Sequence, residues 1–193
     1  MSVIKFTILS FALTICLVSA SFAGSFYDLS ATTADGKSTD FSAYGGKVIL
    51  VTNVAIKCGF SSQLSGLEEL YQKYKDKNFI VLAFPSADLS PNEPTNNEGV
   101  HKFCSLQHGV SFPVFEYRKV KGKGMCPIFG YLTKQCDKEH AGDVGSNFEK
   151  FLIDKTGKVR ARYGPFTGPM SMRLTDKIEE LLAEKNDEPK AGL

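Results

Sequence analysis

The chain has 193 residues, of which 42% are hydrophobic, and this size and composition suit one globular domain with its own core. The formal net charge is only +2, and no Lys/Arg-rich run or basic stripe interleaved with aromatic residues occurs, so no binding of nucleic acid is expected. No repeat or low-complexity tract is visible in the sequence.

The first 23 residues differ in composition from the rest of the chain. Lys5 is their only charged side chain, residues 6–18 are mostly apolar, and Ser21 and Ala23 are small residues at the two positions that a signal peptidase recognises. This pattern predicts a secretory signal peptide over residues 1–23, and so a protein that is secreted or resides in the secretory pathway. The alternative is a transmembrane anchor, but the apolar stretch is short for a span of roughly 20 residues. We therefore expect no membrane span after cleavage.

Residues 24–186 are predicted to form a single domain, followed by a polar tail, residues 187–193, that we expect to be disordered. Residues 24–46 carry turn signals and are expected to be rich in loops. The apolar runs 47–54 and 79–84 predict buried strands. The remaining predicted elements, in chain order, are a helix at 61–75, a loop at 85–97, helices at 98–107 and 126–133, a strand at 112–117, a hairpin of strands 148–153 and 159–163, and a helix at 171–185. Strands that alternate with helices, then a hairpin and a final helix, indicate an α/β domain whose mixed sheet has an antiparallel edge.

Cys58 follows the first buried strand by four residues and precedes a predicted helix that Ser61 or Ser62 is expected to cap. The partial positive charge at a helix N-terminus stabilises a thiolate, and Lys57 adds a positive neighbour. Gly59 permits a tight turn of the backbone. Since the thiolate is the nucleophilic form of cysteine, this position favours a reactive thiol. The alternative is a small buried core residue, although a turn between strand and helix is an unusual place for one.

Further motifs accompany Cys58 in a fixed order along the chain. They are Asn53-Val54-Ala55, Lys57-Cys58-Gly59-Phe60, Gly66-Leu67-Glu68, Phe84-Pro85, Asn92-Glu93-Pro94, Phe103-Cys104, Val110-Ser111-Phe112-Pro113, Asn147-Phe148-Glu149-Lys150-Phe151-Leu152 and Gly157-Lys158-Val159. Together they resemble the glutathione peroxidase family in its cysteine-containing form, over almost the whole chain after the predicted signal peptide. The resemblance implies a thioredoxin-like fold, with a mixed central sheet flanked by helices, and reduction of hydroperoxides by a cysteine without any cofactor.

The same resemblance implies roles for two cysteines. Cys58 matches the attacking cysteine, and Cys104 matches the resolving cysteine of the two-cysteine members, in which a sulfenic acid and a thiol condense to a disulfide. A thioredoxin-type dithiol, or glutathione, then reduces that disulfide by exchange. The short segment 122–146 lacks an insertion that resembles the tetramer interface of the glutathione-using members, so a monomer that uses a thioredoxin-type reductant is expected. The alternative for Cys104 is a core residue of its predicted helix.

The chain departs from the family at two positions near the sulfur. The family supplies a Gln, a Trp and an Asn as hydrogen-bond donors; here the Asn is Asn147, while Asp88 stands at the Gln position and Ser146 at the Trp position. An ionised Asp only accepts hydrogen bonds, and close to the sulfur it would raise the thiol pKa. Either Asp88 faces solvent, or it is protonated and donates, or peroxide turnover is reduced. The last alternative describes a weakened, redox-responsive or binding protein that keeps the peroxidase fold.

The other two cysteines of the domain, Cys126 and Cys136, are ten residues apart. In a secreted protein we expect them to form a structural disulfide, the alternative being two free thiols. The chain has no C-x-x-C or H-x-x-x-H spacing, so no metal site is expected.

Overall fold

The structure, a computed structural model, describes residues 24–90, 92–93, 97–134 and 136–185. The predicted signal peptide, residues 1–23, and the predicted tail, residues 187–193, lie outside the described residues. Within the described part of the chain, no helix combines the length and the apolar composition that crossing a membrane requires.

A four-stranded mixed sheet forms the centre of the domain, and its strands lie side by side in the order β4 (Phe79–Pro85), β3 (Val48–Val54), β5 (Lys150–Ile153) and β6 (Val159–Tyr163). Strands β3 (Val48–Val54) and β4 (Phe79–Pro85) are parallel, and every residue of both is buried. Burial on both faces explains why these two strands are continuous apolar runs in the sequence. Strand β5 (Lys150–Ile153) is antiparallel to β3, and β6 (Val159–Tyr163) is antiparallel to β5. The predicted hairpin and the antiparallel edge are therefore both present.

Helices cover the two faces of this sheet. Helix α1 (Gln63–Tyr74) connects β3 to β4 and packs with the C-terminal helix α4 (Met172–Ala183) against one face. Helix α3 (Pro127–Lys134) and the N-terminal segment pack against the other face. Alternate residues of β3 serve the two layers, because successive side chains of a strand point to opposite faces. Val48, Leu50 and Val54 belong to the α1–α4 layer, and Ile49 and Val51 belong to the α3 layer.

The predicted helix at 98–107 has two parts. Helix α2 (Asn97–Lys102) continues directly into a π-helical turn, Phe103–Gln107. A π-helical turn is rare and is often found at functional sites. Cys104 lies in this turn rather than in a regular α-helix.

The structure differs from the sequence prediction in two segments. Residues 24–46 contain a short hairpin of β1 (Ser30–Thr32) and β2 (Ser38–Asp40), whose three-residue strands are too short to show alternation in the sequence. The predicted strand at 112–117 is not a strand, since it makes only isolated bridges, from Val114 to Ala83 and from Phe115 to Thr33. Pro113 has no N–H to donate to a ladder, which explains why the pairing does not extend.

The candidate residues meet at one edge of the sheet. Val54 at the end of β3 pairs with Pro85 at the end of β4, and Thr52 pairs with Lys150 at the start of β5. Three loops adjoin this edge, and we call them the Cys58 loop (residues 55–62), the Asp88 loop (residues 86–90 and 92–93) and the Asn147 loop (residues 140–149). The topology therefore brings Cys58, Asp88 and Asn147, which are far apart in the sequence, to neighbouring loops.

Candidate active site

Cys58 lies in a run of turns between β3 and α1. Its thiol is half-buried, and its carbonyl oxygen accepts the N–H of Ser61 at 2.9 Å. Helix α1 starts at Gln63, and the N-cap residue Ser62 has a helical backbone (φ −57°, ψ −20°) and no side-chain cap bond. The predicted serine cap is therefore wrong, because a capping side chain reaches the first helical N–H groups from an extended backbone. Consecutive turns lead into the helix instead.

The carboxylate of Glu93 holds the Cys58 loop in place. Glu93 is only 9% exposed, and its Oε2 accepts the N–H of Ile56 at 2.8 Å while its Oε1 accepts the N–H of Lys57. These are the backbone N–H groups of the two residues that precede Cys58. Glu93 thereby joins the Asp88 loop to the Cys58 loop. The sequence shows Glu93 only as part of a motif, since its partners lie more than 30 residues away.

Cys104 is buried beside the same region. Its side chain is 1% exposed, and Cys104 and Cys58 pack in one hydrophobic cluster. Burial, and then the negative charge of Glu93, raise the pKa of Cys104 to about 12. Cys104 is therefore a protonated thiol at neutral pH in this conformation. A cavity of about 290 Å³ adjoins Cys104 on the side of the β1–β2 hairpin.

Asn147 is buried in its loop and uses one end of its side-chain amide. It is 6% exposed, and its Nδ2 donates to the hydroxyl of Ser90 at 2.7 Å. Its Oδ1 is buried and has no hydrogen-bond partner among the described residues. The bond to Ser90 joins the Asn147 loop to the Asp88 loop. With the Glu93 contact, all three loops at this edge are linked to one another.

Asn53 of β3 fixes the backbone on both sides of Asn147. Its Nδ2 donates to the carbonyl of Ser146 at 3.0 Å, and its Oδ1 accepts the N–H of Glu149 at 3.0 Å. Its carbonyl oxygen also accepts the N–H of Phe148 at 2.8 Å. Phe148 has a φ of 60°, which is uncommon for a bulky residue and persists only where surrounding contacts enforce it. Asn53 supplies those contacts and so fixes the position of Asn147.

A buried lysine completes this support. Lys150 is fully buried, and its Nζ donates to the carbonyl of Phe148 at 2.9 Å. Burial lowers the pKa of Lys150 to about 8, while the neighbouring Glu149 acts in the opposite direction. The strained Phe148 is thus held by bonds at its N–H and at its carbonyl oxygen.

Arg162 and Glu149 hold the rest of the Asn147 loop. The Arg162 guanidinium pairs with the Glu149 carboxylate at 2.6 Å, and their side chains are 17% and 9% exposed. Arg162 also donates to three loop carbonyls, those of His140, Gly142 and Asp143. The other oxygen of Glu149 accepts the N–H groups of Gly145 and Ser146. The Ser146 hydroxyl lies 3.4 Å from the same oxygen, so Ser146 is directed to Glu149.

Asp88 is bound to backbone rather than left free. Its Oδ2 accepts the N–H of Val120 at 2.6 Å and the N–H of Lys121 at 3.3 Å. None of the three alternatives drawn from the sequence included this arrangement. The two altered family positions therefore both have contacts within the protein: Asp88 with the backbone at Val120 and Lys121, and Ser146 with the side chain of Glu149.

The expected disulfide between Cys126 and Cys136 is absent from the structure. Both thiols are free, as are those of Cys58 and Cys104. Helix α3, eight residues and about 12 Å long, lies between Cys126 and Cys136. A disulfide needs Cα atoms within about 7 Å. The short separation in sequence is thus misleading, because a rigid helix occupies it. Burial raises the pKa of both thiols.

Comparisons with known proteins identify the family of the chain. The family model described as glutathione peroxidase matches residues 26–133. The glutathione peroxidase-like peroxiredoxin GPX5 of Chlamydomonas reinhardtii is 42% identical over 157 residues, which is 81% of this chain and 96% of that protein. The glutathione peroxidase-like peroxiredoxin 2 of Saccharomyces cerevisiae is 42% identical over 165 residues, 83% of this chain and 98% of that protein.

Solved structures show the same fold. A crystal structure of Trgpx in apo form superposes with a TM-score of 0.68 at 34% identity, over 84% of this chain and 97% of that chain. A thiol:disulfide interchange protein of the thioredoxin family from Chlorobium tepidum superposes with a TM-score of 0.59 at 20% identity, over 80% of this chain and 92% of that one. The predicted thioredoxin-like fold is confirmed. The chain therefore belongs to the glutathione peroxidase family and is a peroxidase, an oxidoreductase of the thioredoxin-like fold.

Proposed function

We propose that this peroxidase is a two-cysteine enzyme in which Cys58 attacks the hydroperoxide and Cys104 resolves the product. The observation that carries the proposal is the placement of the two sulfurs. Cys58 is half-buried in a turn at the sheet edge, and the buried Cys104 packs in the same hydrophobic cluster. Glu93 joins them, because it binds the backbone before Cys58 and lies close enough to Cys104 to act on its pKa.

The proposed cycle needs the two cysteines, the hydroperoxide as oxidant and a separate dithiol as reductant. The Cys58 thiolate attacks the terminal oxygen of the hydroperoxide, the O–O bond breaks, and the alkoxide that leaves takes a proton to become an alcohol, or water when the substrate is hydrogen peroxide. Cys58 is then a sulfenic acid. The Cys104 thiol condenses with it, so that a disulfide forms and water leaves. A reductant with two thiols returns both cysteines to the reduced state by exchange and becomes a disulfide itself.

Cys104 needs a conformational change to take part. As a protonated and buried thiol it is a poor nucleophile in the conformation described, because the thiolate is the reacting form. The π-helical turn that carries it is a rare geometry that is often found at functional sites, and a cavity of about 290 Å³ lies beside it. We propose that this turn opens locally after Cys58 has been oxidised.

A thioredoxin-type dithiol is the proposed reductant, with glutathione as the alternative. The support is that curated relatives are named glutathione peroxidase-like peroxiredoxins, and that the chain supplies a second cysteine at the resolving position. The protein is proposed to act as a monomer on a hydroperoxide substrate.

Secretion, or residence in the secretory pathway, is a proposal that rests on the apolar residues 6–18 and the small residue Ala23. Expression of the full chain in a eukaryotic secretory host tests it. We expect exported protein whose first residue, by intact mass, is Gly24. A Leu13→Arg variant, which interrupts the apolar stretch, should remain inside the cell. Retention of the wild-type chain with residues 1–23 attached would contradict the proposal.

The peroxidase cycle is tested by peroxide consumption with thioredoxin as reductant. Cys58→Ser should lose turnover, and Cys104→Ser should form a sulfenic acid once but fail to cycle. Cys136→Ser is the matched control, because this half-buried cysteine lies outside the site and should leave the rate unchanged. Equal rates in all four proteins would overturn the proposal. Peptide mapping after one equivalent of peroxide should show a Cys58–Cys104 link.

A second candidate function is a catalytically weakened, redox-responsive or binding protein. The observation that favours it is that Asp88 and Ser146, at the two altered positions, have polar side-chain atoms directed to other parts of the protein. Rapid formation of sulfenic acid at Cys58 at low peroxide would exclude this candidate, and undetectable formation would support it.

A further inference from the structure

A side-chain hydrogen bond joins the segment that carries Cys104 to helix α1. His108 is the C-cap residue of the π-helical turn, and we call residues 103–108 the Cys104 turn. The Nδ1 atom of His108 lies 2.9 Å from the hydroxyl of Ser65, in the first turn of α1. A serine hydroxyl donates to a neutral ring nitrogen or accepts from a protonated one, so this contact forms in either state of the imidazole. Helix α1 therefore follows the Cys58 loop directly and also holds the Cys104 turn.

The outer side of the Cys104 turn is open to solvent. Leu106 is 79% exposed, and Gln107 is exposed as well. The ring of Phe103 packs on the ring of His108, with centroids 5.0 Å apart, and this contact is internal to the turn. It can be kept while the turn moves. The contacts that join the turn to the rest of the protein include the packing of Cys104 in the hydrophobic cluster of α1 and α4, and the bond to α1.

Shortly after the turn, the chain is held by later residues of α1. Glu68 Oε2 accepts the N–H of Ser111 at 2.7 Å, and Glu68 Oε1 accepts the Ser111 hydroxyl at 2.6 Å. Gln72 donates to that hydroxyl at 2.9 Å. The next residue, Phe112, is buried and packs edge to face on Tyr71, with ring centroids 6.0 Å apart. This pair of residues is a fixed end for the segment that precedes it.

Gly109 connects the exposed turn to the fixed end. Its φ of 62° lies in the left-handed region, which glycine adopts without strain. The N–H groups of Gly109 and Val110 donate to the carbonyls of Ser105 and Cys104, each at 3.1 Å, and these two bonds close the end of the turn. A segment that ends in an exposed glycine can open there while the residues beyond it stay in place.

We propose that the contact between Ser65 and His108 is a lock on the Cys104 turn, and this inference rests on the proposed function. Opening breaks the lock, frees the turn up to the glycine and leaves the fixed end bonded to α1. Because the turn opens before Cys104 meets the sulfenic acid, the strength of the lock sets the rate of disulfide formation. It does not set the rate of the earlier attack on peroxide, in which the turn takes no part.

The first test measures opening as the rate at which iodoacetamide alkylates Cys104 in a Cys58→Ser background. Since Cys104 is 1% exposed, the reagent reaches it when the turn opens. Loss of one neutral hydrogen bond should shift the opening equilibrium, so we expect Ser65→Ala to raise the alkylation rate about fivefold. Ser65→Thr, which keeps the hydroxyl, should react as slowly as the reference protein. Cys126, which is buried in the other hydrophobic layer, is the internal control, because its labelling rises only if the whole domain unfolds.

The second test follows the reaction of the protein that has both cysteines. Samples are quenched in acid after one equivalent of hydrogen peroxide and mapped by mass spectrometry, which gives the rates of sulfenic acid and disulfide formation separately. Ser65→Ala should leave the first rate unchanged and raise the second about fivefold, by the same factor as alkylation. Ser111→Ala, at the fixed end, should change neither the alkylation of Cys104 nor the rate of disulfide formation.

Three results would overturn the inference. The first is equal alkylation of Cys104 in Ser65→Ala and in the reference protein. The second is slower disulfide formation in Ser65→Ala, which would mean that the contact holds the turn in its productive position. The third is an equal rise for Ser111→Ala, which would mean that the opening extends beyond the glycine. None of them touches the proposed function, which fails if Cys58→Ser and Cys104→Ser keep the peroxide turnover of wild type.

Discussion

The carboxylate of Asp88 accepts the backbone N–H of Val120 at 2.6 Å, and this bond connects the loop after β4 to the segment that leads into α3. The same oxygen accepts the N–H of Lys121 at 3.3 Å. A charged acceptor with two backbone donors contributes to stability directly. We expect Asp88→Ala to lower the free energy of unfolding by about 2 kcal/mol, as measured by urea denaturation.

The substitution Asp88→Asn keeps an acceptor oxygen in the side chain and removes the negative charge. The amide oxygen of the substituted side chain can still accept from Val120, so a smaller loss is expected than for alanine. Asp76→Asn, at an exposed carboxylate, is the control and should change stability little. Equal stability of Asp88→Ala and wild type would show that the Asp88 contact does not hold this segment.

Glu93→Gln tests the link between the Cys58 loop and Cys104. An amide has one acceptor oxygen and would place an N–H₂ group against a backbone N–H, so we expect a loss of about 2 kcal/mol in the free energy of unfolding. Removal of the negative charge should also lower the pKa of Cys104 from about 12, although burial, the larger cause, keeps it above its ordinary value.

The Cys104 pKa can be followed by NMR titration of labelled cysteine in a Cys58→Ser background. Glu98→Gln is the matched control, since Glu98 is exposed and forms a surface pair with Lys102. A Cys104 pKa that is unchanged by the Glu93→Gln substitution would contradict the electrostatic coupling.

Arg162→Met should destabilise the Asn147 loop. The substitution removes the buried partner of Glu149 and the donors to three loop carbonyls, and breaking a buried pair costs about 3 kcal/mol or more. The rate of Cys58 oxidation should fall as well, because Asn147 loses its fixed position. Lys177→Met is the control, as the surface Lys177–Glu180 pair should contribute less than about 1 kcal/mol. Similar losses in thermal stability for both variants would refute the assignment.

Lys150 gives the stability a pH dependence of defined sign. Its pKa is about 8 in the folded state and about 10.5 in the unfolded chain, so the folded state binds fewer protons between these values. The contribution of Lys150 to the free energy of unfolding therefore rises with pH across this interval, by on the order of 3 kcal/mol. Below pH 8 the buried ammonium is a net cost.

The measurement compares wild type with Lys150→Met, because the raised pKa of Cys104 acts with the opposite sign and cancels in the difference. Relative to the variant, wild type should gain stability from pH 8 to pH 10.5. A difference that is constant over this range would mean that Lys150 titrates normally.

The sequence predicts those features of the structure that depend on residues close together in the chain. Strands β3 and β4 are buried on both faces and so appear as apolar runs, and Cys58 stands out because it follows such a run at a turn. Glu93 and Ser90 could not be assigned roles, because their partners Ile56 and Asn147 are distant in sequence and meet only in the folded sheet. The short spacing of Cys126 and Cys136 suggested a disulfide, but helix α3 lies between them and keeps them apart.

The role of Arg162 is also not visible in the sequence. It lies on β6, whose residues alternate between buried and partly exposed, and in the sequence it resembles any charged residue on an outer strand face. Its role depends on the path of residues 140–146, which no local pattern indicates.

The three loops at one edge of the sheet and the sheet itself are stabilised by different kinds of contact. The hydrophobic layers on both faces involve few residues of these loops, while the loops are held by their own polar contacts through Glu93, Asn53 and Arg162. A substitution in these loops therefore removes polar contacts at the sheet edge and leaves the two hydrophobic layers in place, so its effect on stability is limited to the bonds that the changed side chain makes.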